Sequence, residues 1–104
     1  MKSTTARNER SVLLAPERII ASTRAEFRGA ALDHLESASS NAQVLVIDMS
    51  RTVELDASGL GILVFIQKRA KDLCMSTRLQ HTPERVRNLL KLTMLDFLFE
   101  LTDE

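Results

Sequence analysis

At 104 residues, 44 % of them hydrophobic and 27 % charged, the chain is the size of one domain and is composed like a globular protein, which argues against a disordered segment. Fourteen Lys and Arg balance fourteen Asp and Glu, so no surplus positive field exists to draw nucleic acid or an anionic bilayer. The single cysteine, Cys74, forms no internal disulfide, the opening Met1-Lys2-Ser3-Thr4-Thr5 lacks the apolar core of a secretory signal, and the longest strongly apolar run, Leu60 to Ile66, is far short of a membrane span; the expected compartment is the cytoplasm.

Residues 1–10 are polar and without periodicity, and read as a loose lead-in to a domain over 11–104. Ser11-Val12-Leu13-Leu14-Ala15 is a short apolar run stopped by Pro16, and Arg18-Ile19-Ile20-Ala21 follows as a second short strand or turn. Thr23-Arg24-Ala25-Glu26 has the spacing of a capping box, so a helix is expected from there. Phe27, Ala31, Leu35 and Ala38 form its apolar stripe, and residues 37–41 break it. Val44-Leu45-Val46-Ile47 is a continuous apolar run, the pattern of a central strand covered on both faces by helices.

After the short Val53-Glu54-Leu55 comes Asp56-Ala57-Ser58-Gly59-Leu60-Gly61, leading into a second helix that runs to Leu73 and ends in the basic residues Lys68, Arg69 and Lys71. Met75 to Gln80 is a weak strand. Thr82-Pro83-Glu84 predicts a third helix, with Thr82 as cap, Pro83 in the first turn, and Val86, Leu89, Leu90 and Thr93 on its buried side. Phe97 to Leu101 alternates enough for a last strand. The order β-β-α-β-α-β-α-β implies an α/β domain, a small mixed β-sheet with helices packed on it.

Chemistry-bearing residues are sparse. His34, Cys74 and His81 are isolated and fit no ligand spacing, so no metal and no other cofactor is expected. Cys74 suits a small buried hydrophobe, because no nearby group would lower its pKa. Three glycines and no Walker lysine do not make a phosphate-binding loop. No histidine or lysine is placed to serve Ser58 as a base, so no enzyme activity and no catalytic residue is expected.

The segment 56–66 carries the most information. Asp56 or Ser58 can cap the second helix, leaving amides free to attract a phosphate or a partner's carboxylate; a cap alone explains the same residues. Gly59 and Gly61 let another backbone come close. Leu60, Ile62, Leu63, Val64, Phe65 and Ile66 are apolar almost all round, so either part of this turn is exposed as a protein-binding patch or the helix is buried on several sides.

Val44-Leu45-Val46-Ile47-Asp48 followed by Val53 to Leu63 resembles the signature of STAS domains, a hydrophobic strand, then Asp-Ser-Ser-Gly-Leu-Gly and an apolar helix. Ile19 to Thr23 is similar to the family's entry into its first helix, and Val86 to Thr93 with Leu95 to Phe99 resembles its last helix and strand, so the likeness covers about residues 11–101. The resemblance implies a STAS (SpoIIAA-like) fold. It also implies a non-enzymatic anti-sigma factor antagonist, a bacterial regulator of transcription that binds an anti-sigma factor or serine protein kinase and is switched off by serine phosphorylation.

The sequence departs from the family at Ala57, which matches the usual phospho-acceptor and has no hydroxyl; Ser58 matches the second serine and is the phosphorylation candidate. Ile20 replaces an acidic residue common in the family. The partner-binding candidates are Asp56, Ala57, Ser58, Gly59, Leu60, Gly61, Leu63 and Val64. An alternative implied by the same family is an accessory subunit of an ABC transport system for lipids, gripping its ATPase or permease without phosphorylation. Neither reading involves nucleic acid or membrane insertion, and self-association is left open.

Overall fold

The apolar run at the centre of the sequence becomes an inner strand of the sheet in a computed structural model that describes residues 10–38 and 41–102. This strand, β3 (Val44–Asp48), lies between β1 (Arg10–Leu14) and β5 (Ser76–Gln80), and β6 (Glu100–Thr102) closes the order β1-β3-β5-β6. Every pairing in this sheet is parallel, with Leu13 beside Ile47 and Ile47 beside Leu79. Parallel neighbours need crossovers, and the helices α1 (Arg24–Ser37), α2 (Ala57–Asp72) and α3 (Glu84–Leu92) supply them. Two very short strands, β2 (Arg18–Ile19) and β4 (Glu54–Leu55), form a separate parallel ladder beside the start of α2.

One core results. Leu13, Leu45, Ile47 and Leu79 from the sheet meet Phe27, Ala31 and Leu35 of α1, Leu60, Leu63, Ile66 and Ala70 of α2, and Val86 and Leu90 of α3. Val46 is buried as well, but it stands outside that cluster on the opposite face, in a row with Val12, Arg78 and Glu100. The continuous apolar run therefore does not mean helices on both faces. On this second face Arg78 pairs with Glu100 at 3.1 Å.

Several local expectations are corrected. Thr23 stands at the N-cap of α1 but makes no capping bond; its hydroxyl accepts from the Ile20 amide and donates to the Arg18 carbonyl, tying down the loop after β2. Thr82 does not cap α3, whose N-cap is Pro83; its hydroxyl is buried without a partner among the described residues. Phe97 and Leu98 belong to a 3-10 turn (Asp96–Leu98), so the last strand starts later than the alternation predicts. The turn forms because the amides of Leu98 and Phe99 find the Leu95 and Asp96 carbonyls three residues back.

Cys74 is exposed and not buried. It sits at φ 65 just past α2, where its amide and that of Met75 close on the Lys71 and Ala70 carbonyls and turn the side chain outward. Arg10 already belongs to β1, while the rest of the expected lead-in, residues 1–9, lies outside the described residues. Among the described residues no helix is long and apolar enough to cross a membrane.

Candidate functional site

Asp56 organises the segment singled out in the sequence. Its backbone is extended (φ −115, ψ −171), and its side chain caps α2 by accepting from the Gly59 amide at 2.9 Å. The other carboxylate oxygen accepts from the Ala21 amide at 3.1 Å, so one side chain joins the start of α2 to the loop after β2. The Gly59 N–H, helped by those of Ala21 and Ser58 and opposed by partial desolvation, holds the Asp56 carboxyl below its ordinary value. Asp56 is thus the cap of this helix, and the Gly59 donor at the helix end already has an anion that is the protein's own.

The two glycines of the segment do different work. Gly59 is buried against β2, and a β-carbon there would land on the Ile19 carbonyl oxygen and close to Leu55. The close approach inferred for this glycine is thus made by the domain's own backbone. Gly61 is exposed, and a β-carbon on it would meet nothing within 4 Å.

The helix sorts the remaining candidates by face. Leu60 is 8 % exposed and Leu63 is fully buried, so both point into the core and away from any partner. The all-round apolar character of 60–66 resolves mostly into burial, with Ile62 and Ile66 also enclosed. Ala57 and Gly61 are exposed and Ser58 and Val64 half-buried; with the exposed Lys68, the residues Ala57, Gly61 and Val64 recur at helical spacing along one outward strip. Beside that strip, Arg28 of α1 lies over the Phe65 ring at 4.5 Å from its centroid, covering an aromatic face that would otherwise meet water.

The Ser58 hydroxyl makes no hydrogen bond among the described residues and has no histidine beside it. Among the described residues a short Ser–His contact lies elsewhere, between Ser11 Oγ of β1 and His34 Nε2 of α1 at 2.6 Å. It pins a helix to an edge strand, and the two residues are too far apart in sequence for any spacing rule to have found it. Among the described residues there is no cluster of His, Cys, Asp and Glu that could hold a metal. The surface offers an outward strip with a fixed negative charge at its head.

The family model described as "Mlab, STAS domain" matches residues 3–100. Among solved structures, a protein from Thermotoga maritima assigned as an anti-sigma factor antagonist superposes with a TM-score of 0.75 at 22 % identity, over 90 % of this chain and 80 % of that one. The anti-sigma factor antagonist SpoIIAA in its unphosphorylated form gives 0.71 at 14 % identity, over 93 % and 83 %. A sulfate transporter family protein from Wolinella succinogenes gives 0.65 at 17 % identity, over 91 % and 78 %. At these identities the structural matches establish a shared fold.

Proposed function

The chain belongs to the STAS domain family, and from that premise we propose that it is a non-enzymatic regulatory module of the anti-sigma factor antagonist type, docking on an anti-sigma factor or serine kinase through the outward strip of α2. The observation that carries this reading is Gly61. A glycine inside a helix costs stability, and neither backbone conformation nor packing requires one at this position. Bare backbone in the middle of an exposed strip is useful to something that must come close.

Asp56 heads the strip and holds α2 against the β2–β4 ladder; Ala57, Ser58, Gly61 and Val64 supply contact. Gly59, Leu60 and Leu63 act from beneath, by seating the helix. Ser58 is the only hydroxyl in the first turn and is the acceptor of a phosphate switch. A phosphate would add about −1.5 to −2 charges next to the ionised Asp56 and bring water into an apolar contact, turning binding off.

One observation favours a second reading. Ala57 presents an exposed methyl at the position where the family has its acceptor serine, which suits an accessory subunit of an ABC transport system that grips its ATPase or permease without modification.

Purified candidate kinases with ATP, followed by intact mass and a Ser58→Ala control, separate the two. A phosphate that vanishes in Ser58→Ala supports the switched antagonist; no phosphate from any of them favours the transport subunit. The docking strip itself is tested by Gly61→Arg, which should keep the native circular dichroism and abolish partner capture. Undiminished capture would move the interface elsewhere.

A further inference from the structure

At the end of α2 far from Asp56, the last turns of that helix, the start of β5 and the 3-10 turn surround one open hollow of about 500 Å³. Small-molecule sites fall in the range of roughly 300–1,000 Å³. Part of its wall is apolar. Met75 and Phe99 are buried, while Phe97, lining the same hollow, is 80 % exposed and leaves an aromatic ring in water. A ligand with an apolar body would cover that ring, which the domain's own elements do not.

The polar groups of the hollow select the rest of the ligand. Thr77, 4 % exposed, is among its lining residues, and the threonine hydroxyl is buried with no hydrogen-bond partner among the described residues. An unpartnered buried hydroxyl is costly, and valine would fill the same place in a strand without that cost. The fold alone supplies no reason for a threonine here.

Gln67 and Lys71, one turn apart on α2, line the hollow as well, and neither side chain has a hydrogen bond or an ion pair among the described residues. Gln67, Lys71 and Thr77 can all donate, and one of them is a cation. Glu100, the acidic residue of the lining, is already held by Arg78 at 3.1 Å. The charge left without a counterpart is therefore positive, and it stands beside an exposed aromatic ring and an unused hydroxyl.

We propose that this hollow binds a small organic anion, a carboxylate carried on an apolar body about the size of a medium-chain fatty acid. Lys71 and Gln67 hold the carboxylate, Thr77 gains the partner it lacks, and the body lies against Phe97 and Met75. The site shares no residue with the outward strip of α2 and stands whether or not that strip binds a partner.

Octanoate is the probe. Followed by NMR on the isotope-labelled protein, it should give saturable shifts at the amides of the lining residues, with a dissociation constant on the order of a millimolar or tighter. It should also slow alkylation of Cys74, an exposed thiol on the same hollow, as read by intact mass. Acetate, which has the charge without the body, and octanamide, which has the body without the charge, should each bind about tenfold more weakly. Lys71→Glu should weaken octanoate binding about tenfold or more. Thr77→Val should weaken it about three- to tenfold while leaving the melting temperature equal or higher, which separates a ligand's need for the hydroxyl from the fold's. Shifts that map elsewhere or do not saturate, octanamide binding as tightly as octanoate, undiminished affinity in either variant, or a lower melting temperature for Thr77→Val would each overturn the inference.

Discussion

Gly59 and Gly61 are two residues apart on one helix and serve opposite masters. Gly59 faces inward, where the Ile19 carbonyl occupies the space a β-carbon would need; Gly61 faces outward, where nothing does. The inner side of the first turns of α2 is thus shaped by the domain itself, with Leu60 and Leu63 sealing it. The outer side, Ala57, Gly61 and Val64, is left low and plain although the domain would be more stable with a better helix former in the middle. One short motif therefore has one side fixed by folding and another that the fold leaves unconstrained.

The largest contrast between the sides is expected from Leu60→Asp. Removing a buried leucine and enclosing an unpaired carboxylate should cost about 4 kcal/mol or more, so cooperative thermal unfolding should be lost or fall steeply. A native-like melt for this variant would mean that the inner side is open after all. Next comes the same substitution at both glycines. Gly59→Ala forces a β-carbon against a backbone oxygen that no rotamer change can clear, and should destabilise by about 1–3 kcal/mol. Gly61→Ala should stabilise by about 0.5–1 kcal/mol, the ordinary gain of alanine over glycine inside a helix. Chemical denaturation measures both, and equal signs would erase the distinction between the faces.

The smallest effect belongs to Asp56 and appears in the pH dependence. Its carboxyl is depressed in the folded state below the ordinary 3.8 by the Gly59 amide first, and by the amides of Ala21 and Ser58. A depressed acid contributes stability that is complete above its unfolded value and fades as pH falls through the folded one. Asp56→Asn keeps an oxygen for the Gly59 amide but cannot ionise. Its melting temperature should lie below that of the wild type at neutral pH, and the gap should close as the medium is acidified below the aspartate range. A gap that stays constant into acid would show that the charge of Asp56 does not matter to the helix.

Much of the fold was legible because its cues are local. The run at 44–47, the four-residue spacing of Phe27, Ala31 and Leu35, and Asp56 before a long apolar helix each identified an element without reference to the rest of the chain. Cues that depend on what a hydroxyl or an amide finds in space misled. Thr23 had the right spacing for a capping box but spent its hydroxyl on the loop after β2. Cys74 reads as a small buried hydrophobe for want of a neighbour that would activate its thiol, whereas the left-handed turn after α2 puts it outside. In the candidate site, Asp56 as cap was readable from its place before the helix; the Ala21 amide that fills its other oxygen was not, since the two residues are 35 apart in sequence.

By itself the sequence determined an α/β fold with a helix that starts just after Asp56, because periodicity and capping residues act over a few neighbouring positions. Tertiary structure alone decided which side of that helix faces water. An apolar residue at 60 and a glycine at 61 carry no mark of inside or outside until β2, β4 and the sheet occupy one side and leave the other to water.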